Sequence, residues 1–254
     1  MTGKPEDNLK GRAAKPTRVL IVVPAYNEAK SLPRLLQALG EECPGCDVVV
    51  IDDGSRDNTR EVMHGLGRAI TLPCNLGIGG AVQTGWQVAL RENYDFAMQV
   101  DGDGQHPPHE IPKLLKAMHE SIENGEGVDL VVGSRFRGNG SFKSTAARRV
   151  GIRFFALMLS AICRTRITDP TSGFRILSRR AIRLLAQRYS EDFPEVEALV
   201  VAHRAGLRIL EVPVEMAERS AGRSSIGAIK SLLYMLKVPL AIFMTLLRKP
   251  EVNF

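Results

Sequence analysis

An α/β fold with a doubly wound, largely parallel sheet is what this sequence predicts, from three observations. Short β-branched runs alternate with stretches of helical periodicity through the first 135 residues, each run stops at a polar or glycine-rich turn, and several of those turns carry carboxylates. Alternation of this kind is the mark of strands joined by crossover helices. Such sheets bind ligands beyond the carboxyl ends of their strands.

The elements follow in order. Arg18-Val19-Leu20-Ile21-Val22-Val23 reads as a strand stopped by Pro24-Ala25-Tyr26-Asn27-Glu28, and Leu32, Leu35, Leu36 and Leu39 then fall at helical spacing. Asp47 to Ile51 repeats the pattern and ends in Asp52-Asp53-Gly54-Ser55. A third strand, Arg68 to Leu72, leads into Asn75-Leu76-Gly77-Ile78-Gly79-Gly80-Ala81 and a helix through Leu90, where glycines open a helix N-terminus to a phosphate or sugar. The fourth strand runs from Phe96 to Val100, and the fifth, Val128 to Val132, ends at Gly133-Ser134-Arg135. The second half is less regular. A helix from Ala146 to Cys163 precedes Thr168-Asp169-Pro170-Thr171-Ser172-Gly173-Phe174-Arg175, a helix spans Arg179 to Tyr189, an acidic stretch with Glu195 and Glu197 opens another, and Leu207 to Val212 is a last strand. The expected organisation is a flexible tail over residues 1–17, a catalytic domain over 18–225 and an apolar helical segment over 226–254. The apolar stretch from Leu232 to Leu247 contains Lys237 and Pro239 and falls short of the roughly 20 residues a bilayer span needs. It is expected to lie on a membrane or against a partner.

The fourth strand carries the sharpest chemical signal, because it stops abruptly at two carboxylates one residue apart, Asp101 and Asp103. Paired hard oxygen ligands suit Mg²⁺ or Mn²⁺, which complete their shells with water and phosphate oxygens, so a diphosphate is the expected ligand. Gly102 and Gly104 allow it to approach the backbone closely. No Gly-x-Gly-x-x-Gly follows the first strand and no Gly-x-x-x-x-Gly-Lys-Ser/Thr occurs, which argues against a dinucleotide dehydrogenase and a P-loop enzyme.

The 254 residues are 44% apolar and 24% charged, ordinary for a globular protein, with net charge +6 and pI near 9.3. The charge is local. From Arg135 to Arg183 there are eleven arginines and one lysine against a single acid, Asp169, which makes a field for anions. Of the four cysteines, Cys43 and Cys46 form a Cys-x-x-Cys with no second pair at zinc-ribbon spacing, so a turn in a reducing compartment is expected.

Seven blocks in register carry a resemblance. They are Pro24-Ala25-Tyr26-Asn27-Glu28, Asp52-Asp53-Gly54-Ser55, Asn75 to Ala81, Asp101-Gly102-Asp103-Gly104-Gln105-His106-Pro107, Gly133-Ser134-Arg135, Asp169 to Arg175, and Arg219-x-x-Gly222-x-Ser224-Ser225. Together they resemble family 2 of the glycosyltransferases, and within it the dolichol-phosphate mannose synthase-like branch. The resemblance implies a GT-A fold and an inverting transfer from a UDP- or GDP-linked sugar. It implies Pro24, Ala25, Tyr26, Glu28, Asp52 and Asp53 around the nucleoside, with Gly79, Gly102 and Arg219 also at the donor, and Asp101, Asp103 and Gln105 at a Mg²⁺ or Mn²⁺ ion. It implies Arg135, Arg149 and Arg153 at an acceptor phosphate, and catalytic roles for Asp103, Arg175 and Glu197.

Two acceptors follow from this. A polyprenyl phosphate is already anionic near neutrality and needs cations rather than a base. A hydroxyl acceptor needs a base, and Glu195 and Glu197 lie where related enzymes carry one. A nucleotide-sugar-binding protein or a nucleotidyltransferase is the reading from another class. The first implies attachment to the cytoplasmic face of a membrane, with no nucleic acid partner. The alternative for the apolar segments is burial in a homo-oligomer.

Overall fold

The computed structural model describes residues 17–137, 146–190, 192–217 and 228–248, with the side chains of 146–150 and 228–236 outside that description. The tail expected over residues 1–17 lies outside the described residues up to residue 16. Among the described residues seven strands are present: β1 (Val19–Ala25), β2 (Asp47–Asp52), β3 (Ala69–Thr71), β4 (Phe96–Gln99), β5 (Leu130–Ser134), β6 (Arg175–Ser178) and β7 (Ile209–Pro213). They form one sheet in the order β3-β2-β1-β4-β6-β5-β7. The helices are α1 (Leu32–Glu42), α2 (Thr59–His64), α3 (Gly77–Arg91), α4 (Ile111–Glu123), α5 (Ala146–Cys163), α6 (Arg179–Leu185), α7 (Pro194–Arg204) and α8 (Ala228–Leu247).

Every residue of β1 is buried, as a strand covered on both faces must be. Successive side chains alternate between the two faces. Ile21 and Val23, with Met98, Val131 and Ile176, meet the apolar sides of α1 and α4 through Leu32, Leu39, Ile111 and Leu114. Leu20 and Val22, with Val49, Ile51, Ala97 and Leu177, meet α3, α5, α6 and α7 through Trp86, Phe155, Ile182 and Leu199. Each such fully buried side chain contributes roughly 1.5–3 kcal/mol over its exposed state. Pro33, Pro112 and Pro194 fall in the first turns of α1, α4 and α7, where the missing N–H costs no helical hydrogen bond.

One strand departs from the parallel pattern. β6 runs antiparallel between β4 and β5, pairing Gln99 with Arg175 on one side and Val132 with Arg175 on the other. The sequence reading has no strand here, because four residues bounded by arginines give too little alternation to register. The reversal has a consequence for the site. The parallel strands bring their carboxyl ends to one edge, and β6 begins at that same edge, so the 169–175 block arrives beside Asp101 rather than at the far side of the sheet.

That block is held by a buried ion pair. Arg135, just past β5, donates from Nε to Asp169 Oδ2 at 2.6 Å and from a terminal nitrogen to Asp169 Oδ1 at 2.7 Å. Asp169 is fully buried. Glu211 of β7, also buried, accepts from the backbone N–H groups of Thr168 and Asp169, both at 2.9 Å. Asp169→Ala leaves the guanidinium buried without its carboxylate, and the expected loss is about 3–5 kcal/mol in urea unfolding. Arg135→Met combined with Asp169→Leu should recover a large part of it, and a double variant no more stable than Asp169→Ala would refute this account.

Candidate active site

The loops at the carboxyl edge converge. Gly102 N donates to Pro24 O at 3.2 Å, and a Cβ on Gly102 would stand 2.9 Å from that oxygen, so only glycine lets the acidic loop lie against the end of β1. Asp103 is 6% exposed and its Oδ1 accepts from Gln105 N at 3.0 Å. Asp101 is more open, and its Oδ1 accepts from the amide of Gln99 at 2.8 Å. Gln99 in turn packs against Gly173, where a Cβ would come within 2.6 Å of its amide nitrogen. His106 completes the support: its Nδ1 accepts from Asp101 N at 3.0 Å, its ring stacks on Phe174 at 4.8 Å, and its Nε2 lies 3.7 Å from Asp101 Oδ2. Asp101 is therefore held by Gln99 and His106, both of which the fold keeps buried.

Among the described residues no group of three or more His, Cys, Asp or Glu side chains is assembled for a metal ion. Two carboxylates on one short loop, backed by neutral donors, fit a cation that takes its remaining ligands from water and phosphate. Gln105 is in the same loop, and its backbone oxygen accepts from Ala217 N at 3.1 Å.

The nucleoside-side residues form a second group. Asn27, with φ +58°, is knitted to the turn after β2: its N–H donates to Ser55 Oγ at 2.9 Å and its Oδ1 accepts from Arg56 N at 2.8 Å. Glu28 N donates to Thr59 Oγ1 at 2.9 Å, and Glu28 Oε2 accepts from Ser31 Oγ at 2.6 Å. The Pro24–Glu28 loop and the turn after β2 are thus joined into one wall, with Tyr26 exposed on it. Asp53 is buried and its Oδ1 accepts from Leu76 N at 2.7 Å, which binds this wall to the loop entering α3, where Gly79 is buried in the first turn. Asp52 is fully buried and closes its own turn by accepting from Ser55 N at 3.0 Å, while Arg60 stands 3.9 Å from its other oxygen.

The remaining candidates separate. Arg175 is fully buried and its guanidinium donates to the carbonyls of Ser172 and Glu195, which braces the 172 turn against α7. Glu197 accepts from Ser190 Oγ at 2.6 Å and Thr245 Oγ1 at 2.9 Å and so ties α7 to α8. Glu195, two positions earlier and therefore on another side of the helix, is the one that feels the site. Burial pushes its carboxyl above the ordinary range, Arg175 and Arg135 oppose this, and Asp101 adds to it. Arg135 is committed to Asp169 and Thr171. Arg153 is exposed on α5, Arg149 lies on the same helix with its side chain outside the described part, and Arg219 is outside the described residues. Cys43 and Cys46 are free thiols closing the turn between α1 and β2, at the opposite edge of the sheet.

Known proteins bear on this arrangement. The sequence profile of Glycosyl transferase family 2 matches residues 20–185. The chain belongs to that family. This family 2 glycosyltransferase is 33% identical over 220 residues to the undecaprenyl-phosphate mannosyltransferase of Micrococcus luteus, covering 83% of this chain and 88% of the relative. It is 28% identical over 225 residues to the polyprenol monophosphomannose synthase of Mycolicibacterium smegmatis, covering 84% and 83%. Among solved structures it is similar to the glucosyl-3-phosphoglycerate synthase of Mycobacterium tuberculosis in complex with Mn²⁺, UDP and glucosyl-3-phosphoglycerate, with a TM-score of 0.65, 20% identity and coverage of 91% and 80%. The fold is GT-A, as the seven blocks imply.

Gln99, Gly173 and His106 are the supporting residues that sequence reasoning did not assign to the site. One signal was present: Gln99 is a lone polar side chain in an otherwise apolar strand.

Asp53 supplies a pH test. Burial raises its carboxyl above 3.8, against the hydrogen bonds from Leu76 and Gly77 N–H, so the folded state holds the proton more tightly than the unfolded chain does. Its stabilising contribution is complete below pH 3.8 and is lost as pH rises through the folded-state value. Asp53→Asn keeps an acceptor for Leu76 and should gain in urea midpoint over wild type between about pH 4 and about pH 7. A difference independent of pH would rule this out.

Proposed function

We propose that this glycosyltransferase moves a sugar from a nucleoside-diphosphate donor to a polyprenyl phosphate, with inversion, at a membrane surface. The observation that carries the reading is an acidic loop at the carboxyl edge of the sheet together with an arginine-rich segment that starts at the same edge, at Arg135, and holds only one acid, already paired with Arg135. The names of the two relatives, both polyprenyl-phosphate sugar transferases, support the acceptor class.

In this reading Asp53 and the Pro24–Glu28 wall hold the nucleoside. Asp101 and Asp103, with Gln105, hold Mg²⁺ or Mn²⁺, which when bound supplies neutralisation of the diphosphate charge. A phosphate oxygen of the acceptor attacks the anomeric carbon as the bond to the diphosphate oxygen breaks, and the electron pair leaves with the nucleoside diphosphate. No proton has to move, because the acceptor is already an anion. Arg149 and Arg153 hold it by charge-assisted hydrogen bonds. Gln99 and His106 keep the Asp101 carboxylate in place.

Attachment to the membrane is supported by apolar side chains left in water. Phe154 and Leu157 of α5 and Leu240, Phe243, Met244 and Leu247 of α8 are all exposed. No helix among the described residues is long and apolar enough to cross a bilayer. An interfacial position answers to both facts.

A hydroxyl acceptor is the second reading, favoured by the carboxyl of Glu195, raised by burial and further by the charge of Asp101. In that case Glu195, not Glu197, would take the proton.

Asp103→Asn should lower transfer at least about a hundredfold without unfolding the protein, since the charge that holds the metal is lost while the shape is kept. Near wild-type transfer by the variant in Mn²⁺, or by wild type in EDTA, would refute the metal role. The acceptor is decided by a pair of variants assayed on a short polyprenyl phosphate. Arg149→Ala should raise the acceptor KM by at least about tenfold, while Glu195→Gln changes kcat little. Loss confined to Glu195→Gln, with an acid-stable saccharide product, would transfer the assignment to a hydroxyl acceptor.

A further inference from the structure

A cleft of 790 Å³ is formed by residues Ile152 to Ser160 of α5, the 164–168 segment and Phe136. None of Asp101, Asp103, Glu195 or Asp53 lines it. Its floor is apolar: Ile152 and Ile167 are buried there, and Leu157 stands in it 73% exposed. Its rim is cationic, with Arg153 at one end of the helical wall and Arg164 and Arg166 at the other. All three arginines are exposed, and among the described residues none has a carboxylate within ion-pair distance.

The carboxyl end of α5 favours a nearby cation, and that accounts for Arg164. It does not account for Arg166, which stands beyond the helix, nor for Leu157 left in water beside the charges. An apolar trough with unpaired guanidinium groups at its rim matches a ligand that has a phosphate at one end and hydrocarbon behind it. The acceptor has that chemistry too, but a phosphate seated between Arg164 and Arg166 is held in a cleft that contains none of the carboxylates of the reaction centre.

We propose that this cleft is a binding site for an anionic membrane phospholipid, its phosphate between Arg164 and Arg166 and its first acyl carbons against Leu157, Ile152 and Ile167. The site deepens the membrane-surface reading, since an occupied cleft fixes α5, which carries Arg149 and Arg153, at the depth of the headgroups.

The binding arm of the test uses the full chain and vesicles without any polyprenyl phosphate, so its outcome is separate from whether transfer occurs. The protein should co-sediment with vesicles of equal parts phosphatidylglycerol and phosphatidylcholine and remain in solution with phosphatidylcholine alone. Arg164→Gln with Arg166→Gln should weaken vesicle binding about thirtyfold, from two lost headgroup contacts. The same variant should alter KM for a short, water-soluble polyprenyl phosphate by less than about twofold. Unchanged vesicle binding overturns the proposal, and so does a rise in that KM as large as the loss of vesicle binding, which assigns the cleft to the acceptor. A measurement on wild type covers the case of a misfolded variant: monomeric dihexanoyl phosphatidylglycerol should bind saturably by calorimetry, with Leu157 and Ile167 methyl resonances shifting, and dihexanoyl phosphatidylcholine should not. Equal binding of the two lipids, or of neither, overturns it as well.

Discussion

The Arg135–Asp169 pair is the interaction on which the site's geometry depends. Both groups are withdrawn from water, a costly step that Coulomb attraction repays only when the hydrogen bonds are well made. Here they are: the guanidinium meets the carboxylate on both oxygens, and Arg135 N adds a third bond to Asp169 at 3.1 Å. The pair fastens the end of β5 to the turn before β6, and Ser134 Oγ and Thr168 Oγ1 at 2.7 Å repeat the connection one residue away on each side. Glu211 then binds the same turn to β7. Three strands thereby fix one turn, and that turn carries Gly173 to Gln99 and Phe174 to His106. Asp101 is thus positioned by a charge pair it does not touch.

How much of this the sequence disclosed varied with length and periodicity. Strands β1, β2, β4 and β5 were legible because fully buried parallel strands read as unbroken apolar runs ending in polar turns. The acidic loop was legible because two carboxylates end such a run. β6 was hidden by its brevity, and with it the reason why the 169–175 block faces the carboxylates. The fate of single charged residues was hidden for another reason. An arginine in a basic stretch can be a ligand, a brace or half of an ion pair, and Arg153, Arg175 and Arg135 have different surroundings although the sequence presents them alike. Glu195 and Glu197 differ in the same way. Two residues along a helix turn a side chain through about 200°, so the Glu195 carboxyl feels the charges of Arg175 and Asp101 while that of Glu197 is spent on Ser190 and Thr245.

The distribution of charge has a physical logic that goes beyond the individual contacts. The carboxylates of the loops are held by backbone N–H groups and side-chain amides: Asp53 by Leu76, Asp103 by Gln105, Asp101 by Gln99. Neutral donors of this kind fix a carboxylate without cancelling its charge, so Asp101 and Asp103 keep the negative potential that a divalent cation requires. The described arginines at the edge are treated differently. Arg135 is cancelled by Asp169 and Arg175 is enclosed by carbonyls, whereas Arg153 of α5 and Arg164 and Arg166 just after that helix are exposed, in reach of anions from solvent. Positive charge is therefore removed from the interior and kept on the outside, next to exposed Phe154 and Leu157. A water-soluble nucleotide needs no apolar surface to approach, but a phosphate carried on a hydrocarbon chain arrives with its tail in a bilayer. For such a ligand, guanidinium groups and exposed apolar side chains on one helix match the order of its own parts.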